Sequence, residues 1–354
     1  MKKNIKKKKK TKEVDKNRKK KRLLTLTIVC AILDVLAITC FFLAYGPIDY
    51  FRNLYVNTAM KTMNHQYLAY VFYSEKMVEK IMNSNYFIAV DEEVNLDDIV
   101  IDTSEKKSYK NKYDKEILTR DPGNDEYKII DLKVGGSKAY LVAMYHPEKV
   151  KLISMETLGT QKGERIITMC ERYGASVCIN GGGFVDYGYG SGIPIGYVIE
   201  NGKITWSDGD ADTKVGQIVG ITDEGKLLLL NGTGTQALEK GITSALQFGP
   251  FLIVNGKAME VVGDPWGKAP RVAIAQRKDG VMLFLVIDGE NYINGASLQE
   301  MIDTLLLYGA YNAANMDGGQ SSTLIVNNQL YNNPPAAAKS TNGRYVVTGW
   351  GLIP

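Results

Sequence analysis

Residues 315–323 hold the densest group of side chains able to do chemistry. They read Asn-Met-Asp-Gly-Gly-Gln-Ser-Ser-Thr and lie between apolar runs at 305–307 and 324–326. Glycines permit a tight turn with free N–H groups, and a carboxylate beside them suits a sugar or phosphate site. The alternative is a polar hairpin loop, because Asp-Gly is also a common turn. The candidate side chains and backbone groups are Asp317, Gly318, Gly319, Gln320, Ser321 and Ser322.

Three further glycine-flanked polar clusters precede this segment. Residues 180–186 read Asn-Gly-Gly-Gly-Phe-Val-Asp, and Gly-Ile-Pro-Ile-Gly follows at 192–196. Residues 249–256 begin with Gly-Pro-Phe. Residues 270–274 read Pro-Arg-Val-Ala-Ile, and Asp-Gly-Glu follows at 288–290. Each cluster alone is weak, because Gly-Gly pairs are often only turns, but their order and spacing together are far more specific.

Together the four clusters resemble the phosphodiester glycosidase family, named for the lysosomal enzyme that uncovers mannose 6-phosphate by removing N-acetylglucosamine from a phosphodiester. The family pattern is Asn-Gly-Gly-Phe-Phe-Asp, Gly-x-Pro-x-Gly, Gly-Pro, Pro-Arg-x-Ala, Asp-Gly-Arg and Asn-Leu-Asp-Gly-Gly-x-Ser-Ser. The resemblance extends from about residue 135 to residue 354. The linking segments at 295–298 and 308–313 are similar to those of the bacterial members of the family. Two departures from the family pattern are important: Glu290 replaces the usual Arg, and Gly183 replaces Phe, which predicts a wider floor of the site.

The residue types suit such a reaction even without the family resemblance. A sugar 1-phosphodiester is already activated, so the site needs chiefly a carboxylate acting as base or nucleophile at the anomeric carbon. Asp317, Asp288 and Asp186 are the candidates, and Arg271 is the candidate phosphate partner because a guanidinium grips oxyanions with two hydrogen bonds. A larger set of residues could contact the phosphate or the sugar. Trp266 would stack on a sugar ring, and the others would donate hydrogen bonds. The set is Asn180, Gly181, Gly182, Gly318, Gly319, Gln320, Ser321, Ser322 and Trp266.

Each assignment has a structural alternative. Asp288 would cap a turn, Asp186 would hold a loop or a structural cation, and Trp266 would pack in the core. Arg271 would form an internal salt bridge with Asp288 or Asp317. Several aspartates could also bind Ca²⁺ or Mg²⁺ through oxygen ligands, but no EF-hand spacing is present, so no cofactor is firmly predicted.

The N-terminal region predicts a membrane anchor. Residues 1–22 carry 14 of the 43 basic residues and two acidic ones, so the remainder holds 29 basic and 37 acidic side chains. This asymmetry argues against nucleic-acid binding by the folded part. Residues 23–45 are predominantly apolar, carry no charge except Asp34 and are long enough to span a bilayer. The basic flank predicts a cytoplasmic N-terminus and an extracellular remainder; a cleaved signal peptide is the competing interpretation.

The rest of the chain predicts an α+β fold. Residues 46–128 are expected to form a helical stalk and a polar linker. Residues 129–354 contain short β-type runs and two helices, at 163–173 and 297–308, and predict a mixed β-sheet domain with few helices. The β-type runs include 251–254, 271–275 and 282–287, and Ser297 with Glu300 forms a capping box at the start of the second helix. Cys170 and Cys178 are either a disulfide or two buried thiols, with a slight preference for thiols.

The combined expectation is a membrane-anchored extracellular glycosidase that hydrolyses a sugar 1-phosphodiester in a cell-surface glycan of the teichoic acid or exopolysaccharide type. The alternatives are a glycan transferase in wall or exopolysaccharide assembly and a non-catalytic phosphoglycan-binding protein, for which Glu290 is the main indication. The sequence leaves the sugar, the stereochemical course and the oligomeric state open.

Overall fold

The computed structural model describes residues 2–60, 65–105, 108–186, 191–214, 216–289, 294–335 and 343–354, with side chains from residue 18 onward. The chain forms two compact units, Met1–Met82 and Asn83–Pro354.

The first unit is helical. Helix α1 (Lys2–Tyr45) contains the one described helix that is long and apolar enough to cross a membrane, Arg18–Tyr45. Three shorter helices follow where the sequence predicts helical periodicity: α2 (Asp49–Met60), α3 (Tyr67–Phe72) and α4 (Glu75–Asn83). Their apolar faces meet in a small core of Val56, Ala59, Ala69, Tyr73, Val78 and Ile81.

The second unit combines short helices with many strands. Its helices are α5 (Lys112–Leu118), α6 (Ile166–Tyr173), α7 (Gly234–Glu239) and α8 (Leu298–Leu307). Its strands are β1 (Tyr86–Ile88), β2 (Tyr127–Val134), β3 (Ser137–Met144), β4 (Val150–Ser154), β5 (Glu164–Arg165), β6 (Val177–Asn180), β7 (Val198–Glu200), β8 (Lys203–Trp206), β9 (Gly216–Thr222), β10 (Leu227–Gly232), β11 (Ile242–Gln247), β12 (Phe251–Val254), β13 (Lys257–Ala258), β14 (Glu260–Val262), β15 (Arg271–Arg277), β16 (Met282–Ile287), β17 (Ala310–Met316), β18 (Leu324–Val326), β19 (Gln329–Leu330), β20 (Tyr345–Val346) and β21 (Thr348–Leu352).

Three antiparallel sheets build this unit. The largest has the strand order β13-β12-β17-β15-β16-β3-β2. A five-stranded sheet has the order β19-β18-β6-β21-β4, and another has the order β10-β9-β11-β7-β8. Two short pairs, β1 with β14 and β20 with β5, complete the described pairing. The predicted α+β class is therefore confirmed.

The seven-stranded sheet is covered on both faces. Along β16, Phe284 and Val286 belong to a core shared with the two five-stranded sheets, whereas Leu283 and Leu285 face α5 and α8. Because both faces are buried, β16 reads as a continuous apolar run without polar alternation. Trp350 of β21 crosses the shared core and donates its indole N–H to the sulfur of Met316, at 3.3 Å.

The sequence located much of this architecture. β12 and β16 have the predicted bounds, and α8 begins at the predicted capping box, in which Ser297 and Glu300 satisfy each other's backbone N–H groups. Residues 83–128, expected to hold parts of a stalk and a linker, contain β1 and α5, and the side chain of Ile117 is fully buried in the core beside α8. Strand β17 was missed, because its sequence Ala-Tyr-Asn-Ala-Ala-Asn-Met has low β propensity.

Helix α6 packs on the outer face of the sheet that contains β6. Cys170 on the helix and Cys178 on the strand form a disulfide, with their Cα atoms 6.1 Å apart. The slight preference for two buried thiols is therefore wrong. A helix packed directly on its following strand brings the two positions within bonding reach.

Breaking this disulfide should destabilise the second unit moderately. The closed loop is short, so the chain-entropy estimate is about 2.5 kcal/mol. We expect the Cys170→Ala, Cys178→Ala double variant to unfold at lower urea than the oxidised protein, by an amount close to the effect of dithiothreitol on the wild type. Cys30→Ala, Cys40→Ala is the matched control, because neither of those thiols is bonded. Equal urea midpoints for the oxidised wild type and the Cys170/Cys178 variant would contradict the expectation.

Candidate active site

The candidate site lies where strand ends from two sheets meet. Asp317 immediately follows β17, the third strand of the seven-stranded sheet. Asn180 is the last residue of β6, in the centre of a five-stranded sheet. Both strands contribute residues to the shared core, so buried apolar side chains anchor the backbone that leads to Asn180 and to Asp317.

Asn180 ties these two ends together. Its Nδ2 donates to the Asp317 carbonyl at 2.7 Å, and its Oδ1 accepts from the Thr323 N–H at 3.0 Å. The Asp317 N–H in turn donates to the Gly181 carbonyl at 3.0 Å. The Asn180 side chain is fully buried. Because an amide carries a donor and an acceptor, one side chain fixes both flanks of residues 317–323.

The glycines at the site allow close backbone approach. The Gly182 N–H donates to Thr348 Oγ1 at 3.1 Å, and the Gly181 N–H donates to the Thr348 carbonyl at 2.9 Å. Gly319, at φ +60°, donates its N–H to the Pro270 carbonyl at 2.9 Å. A Cβ on Gly318 would lie 2.7 Å from that same carbonyl oxygen. These three N–H groups are therefore paired within the protein and are not free for phosphate as the sequence suggested.

Asp317 has an unusual electrostatic environment. It is half-buried, and removal from water raises the pKa of its carboxyl to about 6, with the negative charge of Asp186 adding to the increase. Ser321, Arg344 and the Gly318 N–H oppose this increase in pKa. The Ser321 hydroxyl lies close enough to lower the pKa, although it does not reach full hydrogen-bond geometry.

Arg344 supplies the positive charge of this group. Its Nη2 forms a short ion pair with Asp186 Oδ2, and its guanidinium lies 5.2 Å from the centre of the Phe184 ring. Asp186, Asp317 and Arg344 therefore share one cluster. Sequence reasoning identified both aspartates but missed Arg344, which lies in none of the four motifs; its only signal was a single arginine directly before β20.

Asp288 lies at the same end of the seven-stranded sheet as Asp317, but its carboxylate has different neighbours. It follows β16, which runs in the same direction as β17 with β15 between them, so strand spacing alone puts the Asp288 and Asp317 Cα atoms about 10 Å apart. Its carboxylate accepts hydrogen bonds from Asn332 Nδ2 at 2.9 Å and from the Asn333 N–H at 3.1 Å. Burial raises the pKa of Asp288, opposed by these hydrogen bonds. This carboxylate holds the chain at 332–333.

Arg271 is directed at backbone carbonyls. Its Nε donates to Ala296 at 3.1 Å, and its Nη2 donates to Trp266 at 3.0 Å and to Gly267 at 2.7 Å. Burial lowers the pKa of its guanidinium to about 10, and Asp264 opposes that decrease. No ion pair joins Arg271 to Asp288 or Asp317, all three of which lie in the described part of the chain. Its visible contacts fix the Trp266 loop, while its assignment to phosphate stays a prediction.

The remaining predicted residues divide between the site and its surroundings. Ser322 is fully buried, and its hydroxyl has no hydrogen-bond partner among the described residues, so one donor in the segment after Asp317 is unused. Gln320 is half-buried in the same segment. Trp266 is also half-buried, packs edge-to-face on Phe87 and lines a cavity of about 340 Å³ that also borders Gly183. Glu290, the departure from the family pattern, lies outside the described residues.

The described residues contain no group of three or more His, Cys, Asp or Glu side chains placed to hold a metal ion. A larger cavity, of about 840 Å³, lies at the opposite end of the seven-stranded sheet, beside Arg277 and Tyr311. Arg277 is already paired there with Asp114 and Asp279. The group around Asp317 is therefore the better candidate for chemistry.

Comparison with known proteins identifies the family of the second unit. The sequence profile of the phosphodiester glycosidase family matches residues 173–353, which contain Asn180, Asp186, Asp317 and Arg344. The chain belongs to the phosphodiester glycosidase family. Its second unit is therefore a domain of a hydrolase family that acts on phosphodiester-linked sugars.

Individual relatives are distant. The chain is 28% identical over 184 residues to an uncharacterised SPbeta prophage-derived protein, YomE, of Bacillus subtilis, covering 49% of this chain and 28% of that protein. It is 36% identical over 64 residues to N-acetylglucosamine-1-phosphodiester alpha-N-acetylglucosaminidase of Bos taurus, covering 18% of this chain and 12% of that enzyme. The chain thus spans less than a third of either relative.

A solved structure shares the fold. The catalytic domain of the zebrafish N-acetylglucosamine-1-phosphodiester alpha-N-acetylglucosaminidase, auto-inhibited by its pro-peptide, superposes with a TM-score of 0.53 at 19% identity. The match covers 65% of this chain and 82% of that one. The phosphodiester glycosidase architecture is thus recovered from the strand arrangement as well as from the motifs.

Removing the Asn180 side chain should loosen the site. Asn180→Ala leaves the buried Asp317 carbonyl and Thr323 N–H without their partner, so the free energy of unfolding should fall by about 2 kcal/mol. Urea denaturation at neutral pH measures this, with the exposed Asn231→Ala as the control. A decrease in the free energy of unfolding as small as that of Asn231→Ala would show that the Asn180 side chain does not stabilise the junction between the two sheets.

Proposed function

We propose that this protein is a membrane-anchored, extracellular glycosidase that hydrolyses a sugar 1-phosphodiester linkage in a cell-surface glycan. The observation that carries the proposal is the cluster of Asp317, Asp186 and Arg344, found within a phosphodiester glycosidase domain. A carboxylate pair beside one guanidinium is suited to attack on an anomeric carbon that bears a phosphate leaving group.

Asp317 is the residue best placed to act on the sugar. With a pKa of about 6, the carboxyl of Asp317 is mostly ionised at neutral pH. Its surroundings stabilise the ionised form only modestly, so the carboxylate can serve as base or nucleophile. Cleavage of the anomeric C–O bond releases a phosphate monoester, which departs as a stable anion and has little need of a strong general acid. Asp186 raises the pKa of Asp317 and orients Arg344 through their ion pair.

Arg344 and Ser322 are the proposed partners of the phosphate. The positive charge of Arg344 acts on Asp317, and the Arg344 side chain is about one fifth exposed. A guanidinium can donate to a phosphate oxygen while keeping one hydrogen bond to Asp186. The unpaired Ser322 hydroxyl adds a neutral donor at the same edge.

The proposed location rests on the first helix. Residues 1–22 are strongly basic, and Arg18–Tyr45 is long enough to cross a bilayer. Basic residues on one flank favour the cytoplasmic side, so the second unit would face the outside, where phosphate-linked glycans such as teichoic acids and exopolysaccharides occur. The Cys170–Cys178 disulfide is consistent with an oxidising compartment.

Replacing the carboxylate tests the proposed role of Asp317. Asp317→Asn should lower the release of N-acetylglucosamine from a methyl phosphodiester of N-acetylglucosamine 1-phosphate on the order of 10³-fold. Because folding raises this pKa from 3.8 to about 6, ionisation of Asp317 lowers the stability of the fold progressively between these two pH values, and the full cost is present above pH 6. The melting temperature of the variant at pH 7.5 should therefore not fall below that of the wild type.

Asp303→Asn, an exposed change on α8, is the control for this experiment and should keep full activity. Full activity of Asp317→Asn would remove Asp317 from the mechanism. If the wild type binds the phosphodiester without turnover, the protein is a phosphoglycan-binding protein. A product formed only with an added glycan acceptor would identify a transferase instead.

The pH profile should report the same carboxyl. The reacting form is ionised, so kcat/KM should rise with pH below about 6 and level off above it. Since Arg344 lowers the pKa of Asp317, Arg344→Gln should move this midpoint to higher pH and raise KM for the phosphodiester, whereas Arg344→Lys should retain part of the effect. Arg172→Gln, which breaks an ion pair with Glu164, is the control. An unmoved midpoint in Arg344→Gln would separate Arg344 from Asp317.

A further inference from the structure

A cavity of about 340 Å³ opens beside the proposed active site. Its volume falls within the range of about 300–1,000 Å³ that is usual for small-molecule sites. The residues that define it come from two strands and from loops between strands: Phe87, Gly183, Ile195, Gln217, Phe248 and Trp266. We call it the Gly183 cavity.

The Gly183 cavity is joined to the site through two short backbone connections. Gly183 lies two residues after Gly181, whose carbonyl accepts the Asp317 N–H at 3.0 Å. Gly249 also lines the cavity, and its carbonyl accepts from Asn315 Nδ2 at 3.1 Å, two residues before Asp317. The cavity wall and the backbone around Asp317 are therefore linked through short segments of chain.

The lining is aromatic, amide-bearing and uncharged. Trp266 and Phe87 meet at 88° with ring centres 5.9 Å apart, and Arg271 holds the Trp266 loop through its hydrogen bonds to two loop carbonyls. Gln217 adds an amide at the wall. None of the described lining residues carries a charge. Fixed aromatic faces with neutral amides suit a sugar ring, which offers apolar C–H faces and hydroxyls, whereas a phosphate would find no cation here.

The absence of a side chain at position 183 keeps the cavity open. A Cβ built on Gly183 would lie 3.2 Å from Phe248 Cε2 and 3.7 Å from Ile195 Cδ1. A longer side chain would therefore project between two of the cavity walls. The φ of Gly183 is outside the left-handed region, so its backbone does not itself demand glycine.

We propose that the Gly183 cavity binds a neutral sugar ring of the glycan, while the cluster around Asp317 and Arg344 takes the charged phosphate. Gly183 is then a specificity-determining position, because it sets the size of the sugar unit that fits. This inference rests on the proposed function for the identity of the glycan, but the binding of the sugar does not require turnover.

The test is a binding measurement on the full chain in detergent. Calorimetric titration uses the methyl glycosides of N-acetylglucosamine, glucose and galactose as neutral probes and methyl phosphate as the charged probe. We expect at least one glycoside to bind the wild type, and Gly183→Phe to weaken that binding at least tenfold. Gly183→Ala should weaken it less, because Phe248 needs to move only slightly. Binding of methyl phosphate should be unchanged in both variants.

Matched variants keep the outcome interpretable. Lys203→Phe adds the same ring at an exposed strand position and should leave glycoside binding unchanged. Trp266→Ala removes a wall and should lower glycoside affinity even if Gly183→Phe fails to fold. Failure of every glycoside to bind, or full binding in a folded Gly183→Phe, overturns the inference.

Turnover separates this inference from the proposed function. If no phosphodiester is cleaved but glycoside binding is lost in Gly183→Phe, the cavity stands and the enzymatic proposal falls. If cleavage occurs with an unchanged KM in Gly183→Phe, the enzyme stands and the cavity assignment falls. For an active wild type, we expect a KM at least tenfold higher in Gly183→Phe and a kcat that changes less.

Discussion

The candidate site depends on one buried amide between two sheets. Asn180 ends a strand of the five-stranded sheet, and its side chain holds residues 317–323, which leave the seven-stranded sheet. An apolar side chain could fill the same space but would leave a carbonyl and an N–H buried without partners, which is costly away from water. The position of Asp317 therefore follows from hydrogen-bond satisfaction at a sheet junction as much as from the turn that carries it.

Charge balance at this junction sets the chemistry. Asp186 and Asp317 bring two carboxylates into a partly dehydrated site with Arg344 as their shared cation. Desolvation favours the neutral form of Asp317, while the guanidinium of Arg344 favours the ionised form. The pKa of Asp317 is therefore raised to about 6, close to neutrality. Asp288 and Arg271, the other two charged candidates, instead bind backbone groups and fix the loops at the same edge.

The motifs indicated the right region more reliably than they indicated individual roles. The order of four glycine-flanked clusters predicted the family, and the apolar runs predicted β12, β15 and β16 closely. Strand β17 was missed although it is an interior strand of the largest sheet, because its alanines and asparagines have low β propensity and only packing between neighbouring strands favours the extended conformation there. Arg344 was missed because it is distant in sequence from all four clusters. The glycine N–H groups were misjudged, since their partners, Thr348 and Pro270, belong to other segments.

The sequence by itself determined the α+β class, the apolar N-terminal helix, the family and the segment that carries Asp317, because each depends on local periodicity or on motifs within a few residues. Only the tertiary structure decided which charged groups meet, that Cys170 and Cys178 are bonded, and that a cavity opens at Gly183. Those facts depend on contacts between residues that lie far apart in the chain. Burial and neighbouring charge, which fix the pKa of Asp317, exist only once the sheets have packed together.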